Sequence, residues 1–600
     1  MVLLALALGI YAGNAGYPAL IDDADGGHAV AAREILESGD WAVLHINGIR
    51  WLEKAPLHYW LVAAGYAVFG EGEFATRLPL ALAVAGLALM VFAFGREFFS
   101  ERAGFYAGLI IATGIGTFIF TRAMIPEAIY ALEFTAAFYL FLRAWTGTMG
   151  ARAGYWGCAA MIGLAVMTRA LIGFLFPAAA ILLFLLLTGG WRRWREIPWV
   201  SSAAVFLVIA APWHILVGLK TPGFFEFYFI NEHFLRAIGA RYPMDYGSVP
   251  LVYWWAAHLV WFFPWSAFLP FALRELPPRR EWNNLDRGGQ ARLLLLLWAG
   301  SILLFFTISK RMEYYSFGAW PAIALLLGLG LARAEEERHR WLPKIQAGLA
   351  VTGATIAAVL GGLLWASRNV RTGDDISSLL ELNKEEFYRV AMASFFDLTP
   401  QAFAALRLPA AMAATAFLAG LGAAWWLRRG GKNLPANLAM AAGMGVFLCA
   451  ANLAFGVFSP HMSSRTLAEA LKPLLKAEDK LAIYGEYYGA CTVGFYTGRR
   501  MWIYNGRYHG LEFGSNFPDA PKIFLTDQEF PAFWDGPERV FLVAPQHHRK
   551  AVLLRLPKDR TWQVAKSGGK AVYVNQPLTP GQLSLAEMQA KPSKMAEERR

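Results

Sequence analysis

Three aspartates fall within four residues at Asp22-Asp23-Ala24-Asp25, directly after an apolar run, and Gly26-Gly27-His28 follows. Like charges this close push at least one pKa upward unless a cation or hydrogen-bond donor stands near. Such a cluster can act as a general base or a cation ligand. The plainer alternative is a solvated acidic cap at a helix end. Ala29-Val30-Ala31-Ala32-Arg33-Glu34-Ile35-Leu36 is amphipathic and predicts a short helix lying on a membrane surface. Beyond it come Gly39-Asp40-Trp41, the turn signal Asn47-Gly48, and Trp51-Leu52-Glu53-Lys54-Ala55-Pro56-Leu57-His58-Tyr59-Trp60. Glu53 and Lys54 sit among aromatics. They form either an interfacial salt bridge of little worth or, through Lys54, a point charge for a lipid phosphate.

The elements that must position these residues are membrane spans. The chain has 600 residues, 56% hydrophobic and only 16% charged, with 23 Trp and a mean hydropathy of +0.38. A soluble chain is nearer a quarter charged, so a string of soluble domains is excluded. Apolar runs near 2–20, 78–95, 103–120, 128–145, 155–168, 171–188, 198–217, 249–273, 292–308, 314–332, 345–366, 402–427 and 435–457 predict about 13 transmembrane helices, or 12 if 155–188 is one. The first run lacks a basic leader and a cleavage site and reads as a retained helix, not a signal peptide. With a cytoplasmic amino terminus and 13 spans, the basic clusters at Arg192-Arg193, Arg279-Arg280 and Arg338 to Lys344 fall on the cytoplasmic side. The 22–77 loop, the 218–248 loop and the tail then face outward. The net charge of +11 follows from this orientation and calls for no nucleic acid. Three Cys make no disulfide framework.

The tail has another texture. Strand-like runs at 481–484, 522–525, 540–543 and 571–574 alternate with helical stretches near 464–476, 526–534 and 547–555, which predicts a small α/β domain with parallel strands. It carries no catalytic constellation of its own. The expected organisation is a membrane domain over 1–459, an extracytoplasmic α/β domain over 460–580, and a disordered polar tail over 581–600.

The run from Ala32-Arg33-Glu34 through Gly39-Asp40-Trp41, Asn47-Gly48 and Glu53-Lys54-Ala55-Pro56-Leu57-His58-Tyr59-Trp60 to Arg77-Leu78-Pro79 resembles the bacterial lipid A aminoarabinose transferases. It is also similar to the wider protein O-mannosyltransferase-like group (glycosyltransferase family 39-like) within the GT-C superfamily. Ala211-Pro212-Trp213, read as a helix end, Asn231-Glu232-His233-Phe234-Leu235-Arg236, Ser309-Lys310 and Tyr314-Tyr315 extend the likeness over about residues 20–330. The acidic signature departs from the group's pattern, with Asp-Asp-Ala-Asp in place of Asp-Glu, Glu-Lys-Ala-Pro in place of Glu-Lys-Pro-Pro, and Glu127 at the second acidic site. These departures bear on the sugar.

The resemblance implies a polytopic α-helical membrane glycosyltransferase of GT-C type in a bacterial inner membrane. It would move a sugar from a polyprenyl-phosphate carrier, such as undecaprenyl phosphate, to a lipid A, glycan or protein acceptor on the outer face. No Gly-rich phosphate loop follows a strand, in keeping with a donor other than a nucleotide sugar. On this reading Asp23 or Asp25 is the base and Glu127 the second carboxylate; the alternative for Glu127 is a cap on the next helix. Lys54, with Arg122, Arg236 and Lys310 on the same side, would hold the carrier phosphate. His28, His58 and Tyr59 would line the sugar site, Tyr59 being equally an interface anchor. Glu53 and His233 would bind a divalent metal such as zinc, though a His in an aromatic loop is more often a plain hydrogen-bonder. The rival reading is a lipid or sugar transporter or flippase, which requires mid-helix charges and inverted repeats that the sequence does not display. A third is a non-catalytic assembly protein binding through its tail.

Overall fold

The computed structural model describes residues 1–243, 248–371, 400–545 and 548–578. The tail expected to be disordered lies outside the described residues. Two bodies follow one another along the chain: a helical membrane part, and a C-terminal part that opens after the long Asn433–Met462 helix.

Among the described residues, seven helices are long and apolar enough to cross a membrane. Three bent pairs raise the number to ten if each is one span. The count of about 13 spans, or 12, expected from hydropathy is not reached by helix length and composition among the described residues. The 103–120 run breaks by 45° at Gly114, and the 249–273 run by 97°. The second break contains Pro264, which has no N–H for the helical ladder. The 155–188 run is two helices, Ala151–Arg169 and Leu171–Leu187, separated at Ala170, whose φ is +56°. Pro212 does not end a helix; it lies inside Trp199–Lys220.

Close approach of backbones knits the membrane part. A Cβ on Gly95 would stand 2.5 Å from the Cα of Gly104, so the Glu73–Phe98 and Glu101–Thr113 helices meet through paired glycines. In lipid, where apolar side chains gain nothing by leaving solvent, small residues at a contact supply the packing.

The first loop holds the Ala24–Ser38 helix, a two-stranded hairpin of β1 (His45–Ile46) and β2 (Ile49–Arg50), and the Leu57–Phe69 helix. The C-terminal part contributes β3 (Lys480–Tyr484), β4 (Trp502–Tyr504), β5 (Phe524–Leu525), β6 (Val540–Ala544), β7 (Trp562–Ser567) and β8 (Lys570–Val574). Their order in the sheet is β5-β4-β3-β6-β8-β7. The first four are parallel, and β8 and β7 close the edge antiparallel. Hydrophobic runs bounded by short helices foretold the parallel core; β4 and β7 were not foreseen.

The Ala24–Ser38 helix corrects the sequence reading. It does not lie on the membrane surface. Val30, Ala31 and Ile35 are buried in one core with Leu481, Ile483 and Val493 of the C-terminal domain. Arg33 donates from Nη1 to the Phe495 carbonyl at 3.0 Å, and the Asn47 side chain pairs with the Met501 backbone at 2.7 and 2.8 Å. The first loop is thus a filling between membrane helices and sheet, which fixes the acidic cluster at that junction.

Candidate active site

The three aspartates separate because the fold gives each different partners. Asp22 faces the C-terminal domain. It accepts from the Ser464 hydroxyl at 2.6 Å, from the Thr492 hydroxyl at 2.6 Å and N–H at 2.9 Å, and pairs with the Lys570 ammonium. Asp25 faces the membrane helices and is fully buried. Its carboxylate accepts from Arg77 Nη2 at 3.0 Å, the Met124 N–H at 2.7 Å and the Ile21 N–H at 3.2 Å. Between these two anchors the chain turns at Asp23, whose φ of +69° is a strained value for a residue with a Cβ. Its N–H donates to the Tyr488 carbonyl at 2.9 Å. The Asp23 side chain is exposed and lines a polar cavity of about 180 Å³.

His28, Trp51, Tyr314, Glu486 and Tyr488 line the same cavity. His28 Nδ1 is 2.8 Å from the Tyr59 hydroxyl. Burial, with the nearby His58, Lys54 and Arg169 adding to it, holds the His28 pKa well below the usual histidine value. It is a neutral hydrogen-bonding ring at physiological pH. His58 is buried edge-on against Tyr59 and does not line the cavity.

A second cavity of about 250 Å³ adjoins the first. Leu171, Ile172, Leu175, Phe234, Phe305 and Phe306 make it apolar. Glu53, Lys54, Pro126, Arg169, Arg236, Lys310 and Tyr315 line both. A basic strip therefore divides a polar chamber from a greasy groove.

The strip is wired through carboxylates. Glu53 lies 3.7 Å from Lys54 Nζ and accepts from Arg241 Nη2 at 2.8 Å. Arg241 Nε donates to Glu232 at 2.7 Å, and Glu232 meets Arg236 at 3.1 Å. Glu127 is buried behind Arg169, 2.6 Å from its guanidinium. Burial lowers the Lys54 pKa, opposed by Glu53.

Of the expected phosphate ligands, Lys54, Arg236 and Lys310 meet on the strip. Arg122 does not: it donates to the carbonyls of Asn14 and Tyr11 at 3.0 and 3.1 Å and lies over the Phe118 ring, away from both cavities. Arg169 and Arg241 were missed. Arg169 had a signal, an arginine set between two apolar runs.

The divalent metal expected at Glu53 and His233 finds no support in the structure. Arg241 and Lys54 already compensate the Glu53 carboxylate. Among the described residues, no group of three His, Cys, Asp or Glu is arranged to hold a metal ion. Burial pushes the His233 pKa down to about 4, as suits a neutral ring in an aromatic wall.

Residues 53–216 match the family described as dolichyl-phosphate-mannose-protein mannosyltransferase. An undecaprenyl phosphate-alpha-4-amino-4-deoxy-L-arabinose arabinosyl transferase of Aeromonas hydrophila is 27% identical over 384 residues, covering 62% of this chain and 67% of that protein. The enzyme of the same name from Edwardsiella ictaluri is 30% identical over 327 residues, covering 52% and 56%. The chain thus spans between about half and two thirds of the length of these relatives. The fold is that of ArnT from Cupriavidus metallidurans. Its crystal structure bound to undecaprenyl phosphate superimposes with a TM-score of 0.76 at 24% identity, covering 96% of this chain and 97% of that one. The apo structure gives 0.77 at 24%, covering 97% and 98%.

Proposed function

We propose that this chain, which carries the mannosyltransferase-family segment and the ArnT fold, is an integral-membrane glycosyltransferase that takes its sugar from a polyprenyl-phosphate carrier. The observation that carries this reading is the basic strip between an apolar groove and a polar chamber. A polyprenyl-phosphate sugar has the same three parts in the same order. The prenyl chain fits the groove, the phosphate the strip and the sugar the chamber.

The chemistry follows. The acceptor hydroxyl attacks the anomeric carbon as Asp23 takes its proton. The bond between the anomeric carbon and the phosphate oxygen breaks, and polyprenyl phosphate leaves with the electron pair. Lys54, Arg169, Arg236 and Lys310 stabilise the charge that grows on the phosphate. Glu127 is a positioning residue that holds Arg169. Glu53, Glu232 and Arg241 hold Lys54 and Arg236 at their spacing, in the place where the sequence reading put a metal.

The relatives' names point to 4-amino-4-deoxy-L-arabinose on undecaprenyl phosphate as the first donor to test. Lipid A is the first acceptor, ahead of other glycans and proteins. The chamber and the C-terminal domain face the outer side of a bacterial inner membrane, in keeping with the basic density of the opposite loops. A transporter is disfavoured because the cavity's charges come from loops and helix ends, not from the middle of spans. The test is a reconstituted assay supplying polyprenyl-phosphate sugars and following transfer to lipid A. Transfer by the wild type supports the reading. Binding of the carrier with no transfer from any donor would overturn it.

A further inference from the structure

Glu486 sits at the carboxyl end of β3, at the point where the strand order reverses. The chain runs from β3 outward to β4 and β5, then returns to β6 on the other side of β3. In open parallel sheets, ligands settle outside the strand ends at such a switch point. Here that point is turned toward the membrane site. Glu486, Tyr488 and Gly510 line the polar chamber and do not line the apolar groove. They are contributed by the C-terminal domain, whereas the basic strip belongs entirely to the membrane part. Gly485, with φ +82°, leads the chain out of β3 beneath His548, and a Cβ there would stand 3.1 Å from that ring. The Asp23 N–H bond to the Tyr488 carbonyl ties this wall to the proposed base.

The charge pattern gives the wall a direction. Glu486 joins Asp23 and Glu53 as the acids of a chamber also edged by Lys54, Arg169, Arg236, Lys310 and Arg311, and it is the one acid among them that the C-terminal domain supplies. A carboxylate disfavours a phosphate beside it and favours hydroxyl donors. It therefore repels the donor phosphate toward the strip and receives the group that enters from the other side. Tyr488 adds a hydroxyl that burial, reinforced by Glu53, Cys491, Asp23 and Glu486, keeps protonated.

We infer that Glu486, with Tyr488 beside it, determines acceptor recognition: its carboxylate accepts hydrogen bonds from hydroxyls of the acceptor headgroup, making the C-terminal domain one wall of the transferase site. This rests on the glycosyltransferase reading above. The experiment uses the full-length protein in proteoliposomes with undecaprenyl-phosphate 4-amino-4-deoxy-L-arabinose and lipid A. Glu486→Ala is expected to raise the acceptor KM by about tenfold or more. Donor KM and undecaprenyl phosphate affinity should stay within about twofold. The isosteric Glu486→Gln, which retains one acceptor oxygen, should fall between and serves where the alanine variant does not fold. An unchanged acceptor KM, or an equal rise in donor KM, would overturn the inference while leaving the reaction intact. Absence of transfer by the wild type would instead remove the reading beneath it.

Discussion

Arg169 and Glu127 meet at 2.6 Å beneath the chamber floor, although they begin and end different helices of the chain. Arg169 ends one helix at the break before Ala170, and Glu127 begins another after Pro126. The carboxylate is buried and the guanidinium opens into both cavities. One partner anchors and the other faces the ligand, so the two should behave as a unit. Glu127→Gln and Arg169→Ala should each lower kcat/KM by about 100-fold, the range for losing one charge stabiliser. The double variant should be little worse than either single one, and a double-mutant cycle measures the coupling. Full additivity would mean that Glu127 does not act through Arg169.

Asp25 and Arg77 form a buried pair at 3.0 Å, with exposures of 0% and 1%. Removing one member strands a charge, at about 3–5 kcal/mol. Asp25→Asn and Arg77→Met should therefore lower the thermal midpoint of the detergent-solubilised protein. The fraction that folds should still bind undecaprenyl phosphate. A stable Asp25→Asn protein with no transfer would reassign Asp25 to the chemistry.

Lys54 supplies a pH limb. Burial places its pKa below the ordinary lysine value of 10.5. The ammonium is thus lost at a lower pH in the folded chain than in an unfolded one. Raising the pH removes phosphate affinity while relieving a buried charge. Undecaprenyl phosphate binding should weaken on the alkaline side before pH 10.5. Lys54→Arg, whose charge persists, should flatten that limb. An alkaline limb unchanged in the arginine variant would exclude Lys54 as its source.

Arg241 stands between Glu53 and Glu232, at 2.8 and 2.7 Å. With a guanidinium there, chelators should leave transfer unchanged within about twofold. Arg241→Ala should lower it by removing the cation that bridges the Glu53 and Glu232 carboxylates. A chelator-sensitive activity restored by zinc would contradict this.

How much of this was legible in the sequence depends on how far apart the partners lie. Lys54, Arg236 and Lys310 were expected together because the family resemblance and the outer loops put them on one side of the membrane; Glu53 was expected there as a metal ligand. The choice between Asp23 and Asp25 was not legible. The pairings that bear on it, of Asp22 with Lys570 and Thr492 and of Asp25 with Arg77 and Met124, join distant parts of the chain, and no local pattern encodes them. Arg122 misled for a related reason: the correct end of a helix does not fix which face a side chain takes. The short amphipathic helix from Ala29 to Leu36 matched a membrane-surface pattern because an apolar face looks the same whether lipid or a β-sheet covers it. Glu486 was invisible because its domain holds no constellation alone; the chamber is composite.

The proposed chemistry turns on Asp23 as the base. The most direct measurement compares Asp23→Asn with wild type in proteoliposomes, following sugar transfer and undecaprenyl phosphate affinity in parallel. Transfer should fall by about 10²–10⁴-fold, the usual share of a general base, with carrier affinity and thermal midpoint unchanged. Wild-type transfer by Asp23→Asn would contradict it.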